Sequence, residues 1–192
     1  MAKKKEKLDP TLTAVYSTKR KKNADAPKQD APADISYIVE QLRPLAVTLD
    51  QLQLDPANSN KHPEKSIDGI RGSLQTYGQR KPVVANRKTG YLEAGNGQLE
   101  AARALGWTHL AVVWVEDDPN TAAGYSVVDN QSARLSFFDK DMLKKQLKDV
   151  STKNEPRLDE MLGDLAKSLK LYPTDDPQNA AATEAVNFEA KK

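Results

Sequence analysis

The chain has no cysteine among its 192 residues, and it has only two histidines. The absence of cysteine excludes disulfides, thiolate metal sites and thiol catalysis. His62 and His109 are too few and too far apart to form a zinc motif. No hydrophobic run is long enough for a membrane span or for the apolar part of a signal peptide, so we expect a cytoplasmic protein without a membrane partner.

A strong excess of charge is also lacking, because the net charge is only +2. The charge is uneven, however. Residues 1–30 carry nine basic and four acidic side chains, a net charge of +5, and the remaining residues carry −3. Since large apolar residues are scarce there, we predict that residues 1–33 form a disordered basic tail. Such a tail could hold nucleic acid through its phosphates, without sequence preference, or could serve solubility alone.

The most informative stretch is residues 93–106, which reads as a strand end, a glycine turn, one short helix and a glycine stop. Gly95 and Gly97 permit a sharp turn and the close approach of backbone to a ligand. The free amides at the start of the helix, together with the helix dipole, favour a phosphate or a carboxylate. A plain strand-turn-helix connection without a ligand is the alternative.

The rest of the pattern predicts an α+β fold. Apolar spacing after Asp34 predicts a short helix that Pro44 ends, with Ile38 on its apolar face, and residues 45–49 alternate as a first strand. Further strands and helices follow at 82–85, 91–94 and 110–115, and at 63–78, 119–128, 139–149 and 156–169. This order predicts a short mixed sheet with packed helices, then C-terminal helices and flexible tails.

Several segments in order carry a family resemblance: Asp55-Pro56 with Asn60, Tyr77–Val84, Glu93–Ala102, Leu105-Gly106-Trp107 and Val128–Gln131. They resemble the N-terminal domain of the ParB/sulfiredoxin superfamily, most of all the short ParB-like proteins of phages and mobile elements that are often named ParB-like nucleases. The resemblance covers roughly residues 45–150. It implies a ParB/sulfiredoxin-like domain over 34–150, a helical extension over 151–171 and a flexible tail over 172–192.

The resemblance also implies a ligand, a nucleoside triphosphate (CTP or ATP) with Mg²⁺. Asp129 and Asn130 would contact the metal. The expected nucleotide-binding residues are Gly95, Asn96, Gly97, Gln98, Asn130 and Gln131, with Arg80 and Lys81 at the pocket edge.

This chain departs from the family at the glycine turn. Partition ParB proteins have a Gly-Glu-Arg-Arg box where this chain has Gly95-Asn96-Gly97-Gln98, and sulfiredoxins place their cysteine where Gly97 stands. Cysteine-sulfinic reduction is therefore excluded. Glutamine donates neutral hydrogen bonds but lacks the charge and the two-pronged geometry of arginine. Arg80, Lys81 or Arg103 could restore the charge, and we expect Arg80 or Lys81 to do so.

Three functions remain open on the sequence. The first is a DNA-associated module that binds a nucleotide or a nucleic-acid phosphate. The second is a metal-dependent nuclease, or an NTPase, in which carboxylates would hold magnesium; its candidate catalytic residues are Glu93, Glu100 and Asp129. The third is a silent accessory protein with the same fold. No helix-turn-helix is evident, so DNA binding would be phosphate-directed, and the protein partner would be a second copy or a phage or plasmid protein.

Overall fold

The computed structural model describes residues 34–172, so the tail predicted for 1–33 and all but the first residue of the tail predicted for 172–192 lie outside the described residues. The predicted α+β class is confirmed. Short 3₁₀ helices occupy Glu40–Leu45 and Leu49–Gln51. The strands are β1 (Ala46–Thr48), β2 (Val83–Asn86), β3 (Leu92–Ala94) and β4 (His109–Val115). The α-helices are α1 (Glu64–Tyr77), α2 (Asn96–Ala104), α3 (Pro119–Leu135), α4 (Lys140–Asp149) and α5 (Pro156–Ser168).

The four strands form one mixed sheet in the order β1-β4-β2-β3. β2 pairs with β3 as an antiparallel hairpin and with β4 in parallel, and β1 pairs antiparallel with β4. The crossover from β3 to β4 is α2, whose Leu99 and Ala102 are buried against the sheet. Leu92, Leu110 and Val112 complete the centre of this core. The hairpin and the crossover therefore fix the glycine turn at the end of β3.

The predicted helix after Asp34 is wrong in position and type. The chain makes a turn there, and Ile38 forms a parallel bridge with Gln79. The helix that follows is 3₁₀, begins at Glu40 and contains Pro44 instead of ending at it. Ile38 is fully buried because of this pairing. The apolar spacing after Asp34, which predicted a helix, therefore reflects a sheet-like contact at Ile38.

The helix predicted for 119–128 continues to Leu135, so Asp129, Asn130 and Gln131 lie inside α3 and not beyond its end. Asp118 caps this helix by accepting hydrogen bonds from the amides of Asn120 and Thr121. Only small or polar residues of α3, Ala122 and Ser126, are fully buried. The second half of the helix is consequently much more exposed than the first.

The last two helices pack together through Leu143, Ala166 and Leu171. Met142 is 52% exposed. Tyr172, predicted as the first residue of the tail, packs against this cluster, and the Lys144 ammonium lies 5.1 Å from the centre of its ring. Within residues 34–172, no helix is long and apolar enough to cross a membrane.

Candidate functional site

The glycine turn begins where β3 ends. Gly95 has φ +95° and ψ 22°, a left-handed conformation that strongly favours glycine, and it is the N-cap of α2. A Cβ at this position would lie 2.5 Å from Cγ1 of Val83 on the neighbouring strand. Both the conformation and the close contact therefore require glycine at this corner.

The first turn of α2 leaves backbone donors without partners. The first helical bond runs from the Leu99 amide to the Gly95 carbonyl. The amides of Asn96, Gly97 and Gln98 have no hydrogen-bond partner within residues 34–172, and no side chain caps them. Three adjacent donors at the positive end of a helix dipole form an arrangement suited to an anion.

The side chain of Gln98 is also without a partner. Its Oε1 is buried and makes no hydrogen bond to any described residue. Buried amide groups are normally hydrogen-bonded to protein, to water or to a ligand. Gln98 lies in the same turn as the three open amides, so the unsatisfied group and the unsatisfied donors occur together.

Asn96 has a structural role in this turn. Its side chain is buried, with Oδ1 accepting from the Asp55 amide at 2.9 Å and Nδ2 donating to the Leu92 carbonyl at 3.3 Å. These bonds tie the loop ahead of α1 to the end of β3. Asn96 was predicted as a nucleotide contact, and the structure commits its side chain to holding the turn in place.

Gly97 allows His62 to lie against the first turn. A Cβ at Gly97 would lie 3.1 Å from Nε2 of His62 and 2.8 Å from Cδ1 of Ile70. Nδ1 of His62 is 3.3 Å from the Ser66 hydroxyl. If that hydroxyl donates to Nδ1, Nε2 carries the proton and is a further donor beside the amides.

A hydrogen-bonded chain links this loop to α3. Nδ2 of Asn60 donates to Oδ1 of Asn130 at 2.8 Å, and Nη2 of Arg134 donates to Oδ1 of Asn60 at 2.8 Å. Nδ2 of Asn130 donates to the Ser126 carbonyl at 2.7 Å. Asn130 was predicted as a site residue. Neither Arg134 nor Asn60 was assigned a site role, although Asn60 belongs to a segment that carried the resemblance.

The two charged residues expected at the pocket edge have different surroundings. Nε of Arg80 donates to the Tyr77 carbonyl at 3.2 Å, and its guanidinium lies 5.2 Å from the centre of the Tyr77 ring. The structure thus attaches Arg80 to the end of α1. Lys81 has an exposed side chain two residues before Val83, the residue beneath Gly95.

The three candidate catalytic carboxylates have different surroundings. Glu93 is 4% exposed, its Oε1 accepts from Nδ2 of Asn86 at 3.0 Å, and its Oε2 is buried without a donor among the described residues. Glu100 is half-buried in α2, and Asp129 is exposed on α3. Gln131, predicted as a nucleotide contact, is also exposed on α3.

Burial raises the pKa of the Glu93 carboxyl; the Asn86 hydrogen bond opposes this effect, and the nearby carboxylates of Asp117 and Asp55 add to it. Burial also raises the pKa of Tyr125, with further contributions from Asp129 and Glu93. The charges of Asp129 on α3 and Glu93 on β3 therefore both act on this tyrosine. Within residues 34–172, no three Asp, Glu or His side chains are placed to hold a metal ion.

No protein-family model and no curated protein matches this chain. Among solved structures, it is similar in chain path to C-terminally truncated chromosome-partitioning protein ParB from Caulobacter crescentus, complexed with CTP-γ-S. The TM-score is 0.49 and the identity 14%, over 76% of this chain and 92% of that one. It is also similar to a Pnob8-like ParB-N domain, with a TM-score of 0.39 and 15% identity, over 74% of this chain and 68% of that one.

Proposed function

We propose that this protein is a DNA-associated binding module of the ParB-like type, which holds a phosphate of a nucleotide or of nucleic acid at the N-terminus of α2. The observation that carries the proposal is the set of three open amides, from Asn96 to Gln98, behind the left-handed Gly95. Backbone donors of this kind bind phosphate through geometry and dipole, without needing a basic side chain.

His62 and Gln98 complete the proposed cradle. Nε2 of His62 lies beside Gly97, and the buried Oε1 of Gln98 has no partner in the described chain. A phosphate oxygen would accept from the amides and from Nε2, and the Gln98 side chain would turn its NH₂ toward it. Arg134, bound to Asn60, supplies the positive charge of the hydrogen-bonded chain that leads to Asn130.

A thermal-shift series with CTP, ATP and GTP, each with Mg²⁺, tests the proposal. A ligand present at one hundred times its Kd stabilises the folded state by about 2.7 kcal/mol, which raises Tm by several degrees. We expect one nucleotide to give this shift. If none of them shifts Tm at millimolar concentration, the nucleotide form of the proposal is wrong.

Gln98→Glu gives a sharper test because its two effects have opposite signs. A carboxylate in the first turn of α2 should stabilise the unliganded protein by about 0.3–1 kcal/mol through the helix dipole. It should also repel a phosphate and abolish the nucleotide shift. Gln146→Glu, on the exposed surface of α4, makes the same chemical change away from the turn and should leave the shift intact. Equal nucleotide shifts in both variants would contradict the proposed site.

A metal-dependent nuclease is the second candidate, and the observation that favours it is the packing of α3, which carries Asp129, against β3, which carries Glu93. Two carboxylates with bound water would suffice for Mg²⁺ if substrate phosphate completed the coordination. Plasmid incubated with the protein and Mg²⁺ or Mn²⁺ tests it. Cleavage that Asp129→Ala removes would support this function, and cleavage by that variant would indicate a contaminant. If the protein neither binds a nucleotide nor cleaves plasmid, the silent accessory protein remains as its function.

A further inference from the structure

The connection between α3 and α4 exposes several large apolar side chains that are close in sequence. We call residues 135–142 the aromatic junction. Phe137 is 93% exposed and Leu135 73%, and Phe138 and Met142 are each more than half exposed. Single exposed apolar residues are ordinary, but a contiguous group of them marks an interaction surface.

Basic side chains surround this junction. Residues 134–148 contain five basic and two acidic residues, a net charge of +3. Lys140, Lys144 and Lys148 recur every four residues and so lie along one side of α4. None of the five basic side chains forms an ion pair with a carboxylate within residues 34–172.

Acidic side chains of the neighbouring helix α5 form ion pairs with other cations. They therefore do not neutralise the lysines of α4. Glu160 and Asp164 of α5 both pair with Lys65 of α1. Glu155, the N-cap of α5, pairs with Arg157 at 2.6 Å. Glu155, Glu160 and Asp164 are therefore paired with cations other than the lysines of α4.

We propose that the aromatic junction binds single-stranded nucleic acid, with Phe137 and Phe138 stacking on bases while the lysines along α4 contact phosphates. Exposed aromatic rings beside a basic surface are how proteins hold single strands without sequence preference. The bases of a duplex are stacked on each other and offer no face to Phe137. This proposal rests on the DNA-associated part of the proposed function, and it needs nothing from the phosphate cradle at α2.

The charge favours nucleic acid over a second copy of this chain. In a two-fold symmetric dimer, the same patch meets itself. The lysines of α4 would then face lysines, and like charges brought together across an interface oppose association. A polyanion has the opposite sign and meets the same surface favourably.

The test is fluorescence anisotropy of labelled dT20 with the full chain, at several salt concentrations. We expect dT20 to bind more tightly than a 20-base-pair duplex. Phe137→Ala should weaken binding of dT20 about tenfold, because the variant cannot stack on a base at this position. Phe137→Trp should bind dT20 about as tightly as wild type, because tryptophan also stacks on bases. Met161→Ala, which truncates an exposed apolar side chain on α5, should not change the affinity for dT20. Because Phe137 is almost fully exposed, its truncation should leave Tm unchanged.

The lysines give an independent readout. Lys140→Gln with Lys148→Gln should reduce the slope of log Kd against log salt by roughly 0.7 for each phosphate that the variant no longer neutralises. Equal affinity of wild type and Phe137→Ala for dT20 would overturn the proposal, as would equal binding of dT20 and duplex. A dimer that Phe137→Ala dissociates in sedimentation would assign the junction to a second copy instead. The nucleotide shift should persist in Phe137→Ala, so the two proposals can fail separately.

Discussion

Nη2 of Arg134 donates to Oδ1 of Asn60 at 2.8 Å, which joins the last turn of α3 to the loop ahead of α1. Nδ2 of Asn60 in turn donates to Oδ1 of Asn130. The same loop is tied to α2, because Asn96 accepts from the Asp55 amide. The loop therefore connects the open amides of α2 with the one arginine that the hydrogen-bonded chain includes.

The first prediction concerns that arginine. Arg134→Gln should weaken nucleotide binding about tenfold, since hydrogen bonds to charged groups contribute about 1.5–3 kcal/mol. The unfolding free energy should change by less than about 0.5 kcal/mol, because the side chain is exposed. Isothermal titration calorimetry and urea unfolding measure the two quantities. Arg87→Gln, an exposed arginine over Trp114, is the control and should change neither. A loss of stability without a loss of affinity would make Arg134 a structural residue.

The second prediction concerns Glu93 and pH. Its pKa is raised in the folded protein, so the folded state binds the proton more tightly than the unfolded chain does. The stabilisation that protonated Glu93 provides is therefore lost as the pH rises from its ordinary value of 4.5 through the folded value. Glu93→Gln keeps an acceptor for Asn86 and removes the charge, so its stability relative to wild type should increase toward neutral pH.

Urea unfolding between pH 4 and pH 8, followed by the fluorescence of Trp107 and Trp114, measures this difference. Glu100→Gln removes a carboxylate from α2 and serves as the comparison. A Glu93→Gln variant that is less stable than wild type at pH 7 would show that the charged form of Glu93 has a stabilising partner.

The sequence predicted the turn well because the turn depends on local backbone requirements. Gly95 and Gly106 both have positive φ, at the two ends of α2, where the sequence placed a turn and a helix stop. The hairpin of β2 and β3 also follows from local signals, since Gly90 between the strands has φ +76°. These positions need no knowledge of distant contacts.

The extent of α3 could not be predicted in this way. Its buried positions are small or polar, as at Ala122 and Ser126, while Val127 and Val128 are more than half exposed. The apolar pattern is thus the reverse of an ordinary amphipathic helix, and it gives no periodic signal. The bonds of Asn60 to Asn130 and Arg134 span more than 65 positions, which no local pattern reveals.

The third prediction concerns Gln79, a fully buried polar residue of the segment that carried the resemblance. Its Nε2 donates to the carbonyls of Lys81 and Ala111, and its Oε1 accepts from the Ala111 amide at 2.7 Å. Gln79→Leu would leave the Ala111 groups buried and unpaired, so the unfolding free energy should fall by about 2–4 kcal/mol. Chemical denaturation measures it. A cost below about 1 kcal/mol would mean that water replaces the side chain.

The fourth prediction compares three helical glycines. Gly69 and Gly72 are poor helix-forming residues inside α1, and both lie where α5 crosses it. A Cβ at Gly72 would lie 3.1 Å from Cγ of Leu158, a buried side chain, and 3.2 Å from both Cβ of Arg157 and Cγ of Glu155. Gly72→Ala should therefore lower the free energy of unfolding by about 1 kcal/mol, because the cost of overpacking exceeds the gain in helix propensity.

Gly69→Ala meets only the flexible end of Met161, with Sδ at 2.7 Å, and Met161 is 43% exposed. The thioether can move aside, so this change should be close to neutral. Gly163→Ala, in α5 with nothing within 4 Å, is the control and should stabilise by about 0.5–1 kcal/mol. Thermal and urea unfolding should rank Gly163→Ala as the most stable variant, Gly69→Ala next and Gly72→Ala as the least stable. If Gly72→Ala were as stable as Gly163→Ala, α1 and α5 would not be in close contact in solution, and the pairing of Lys65 with Glu160 and Asp164 would be absent as well.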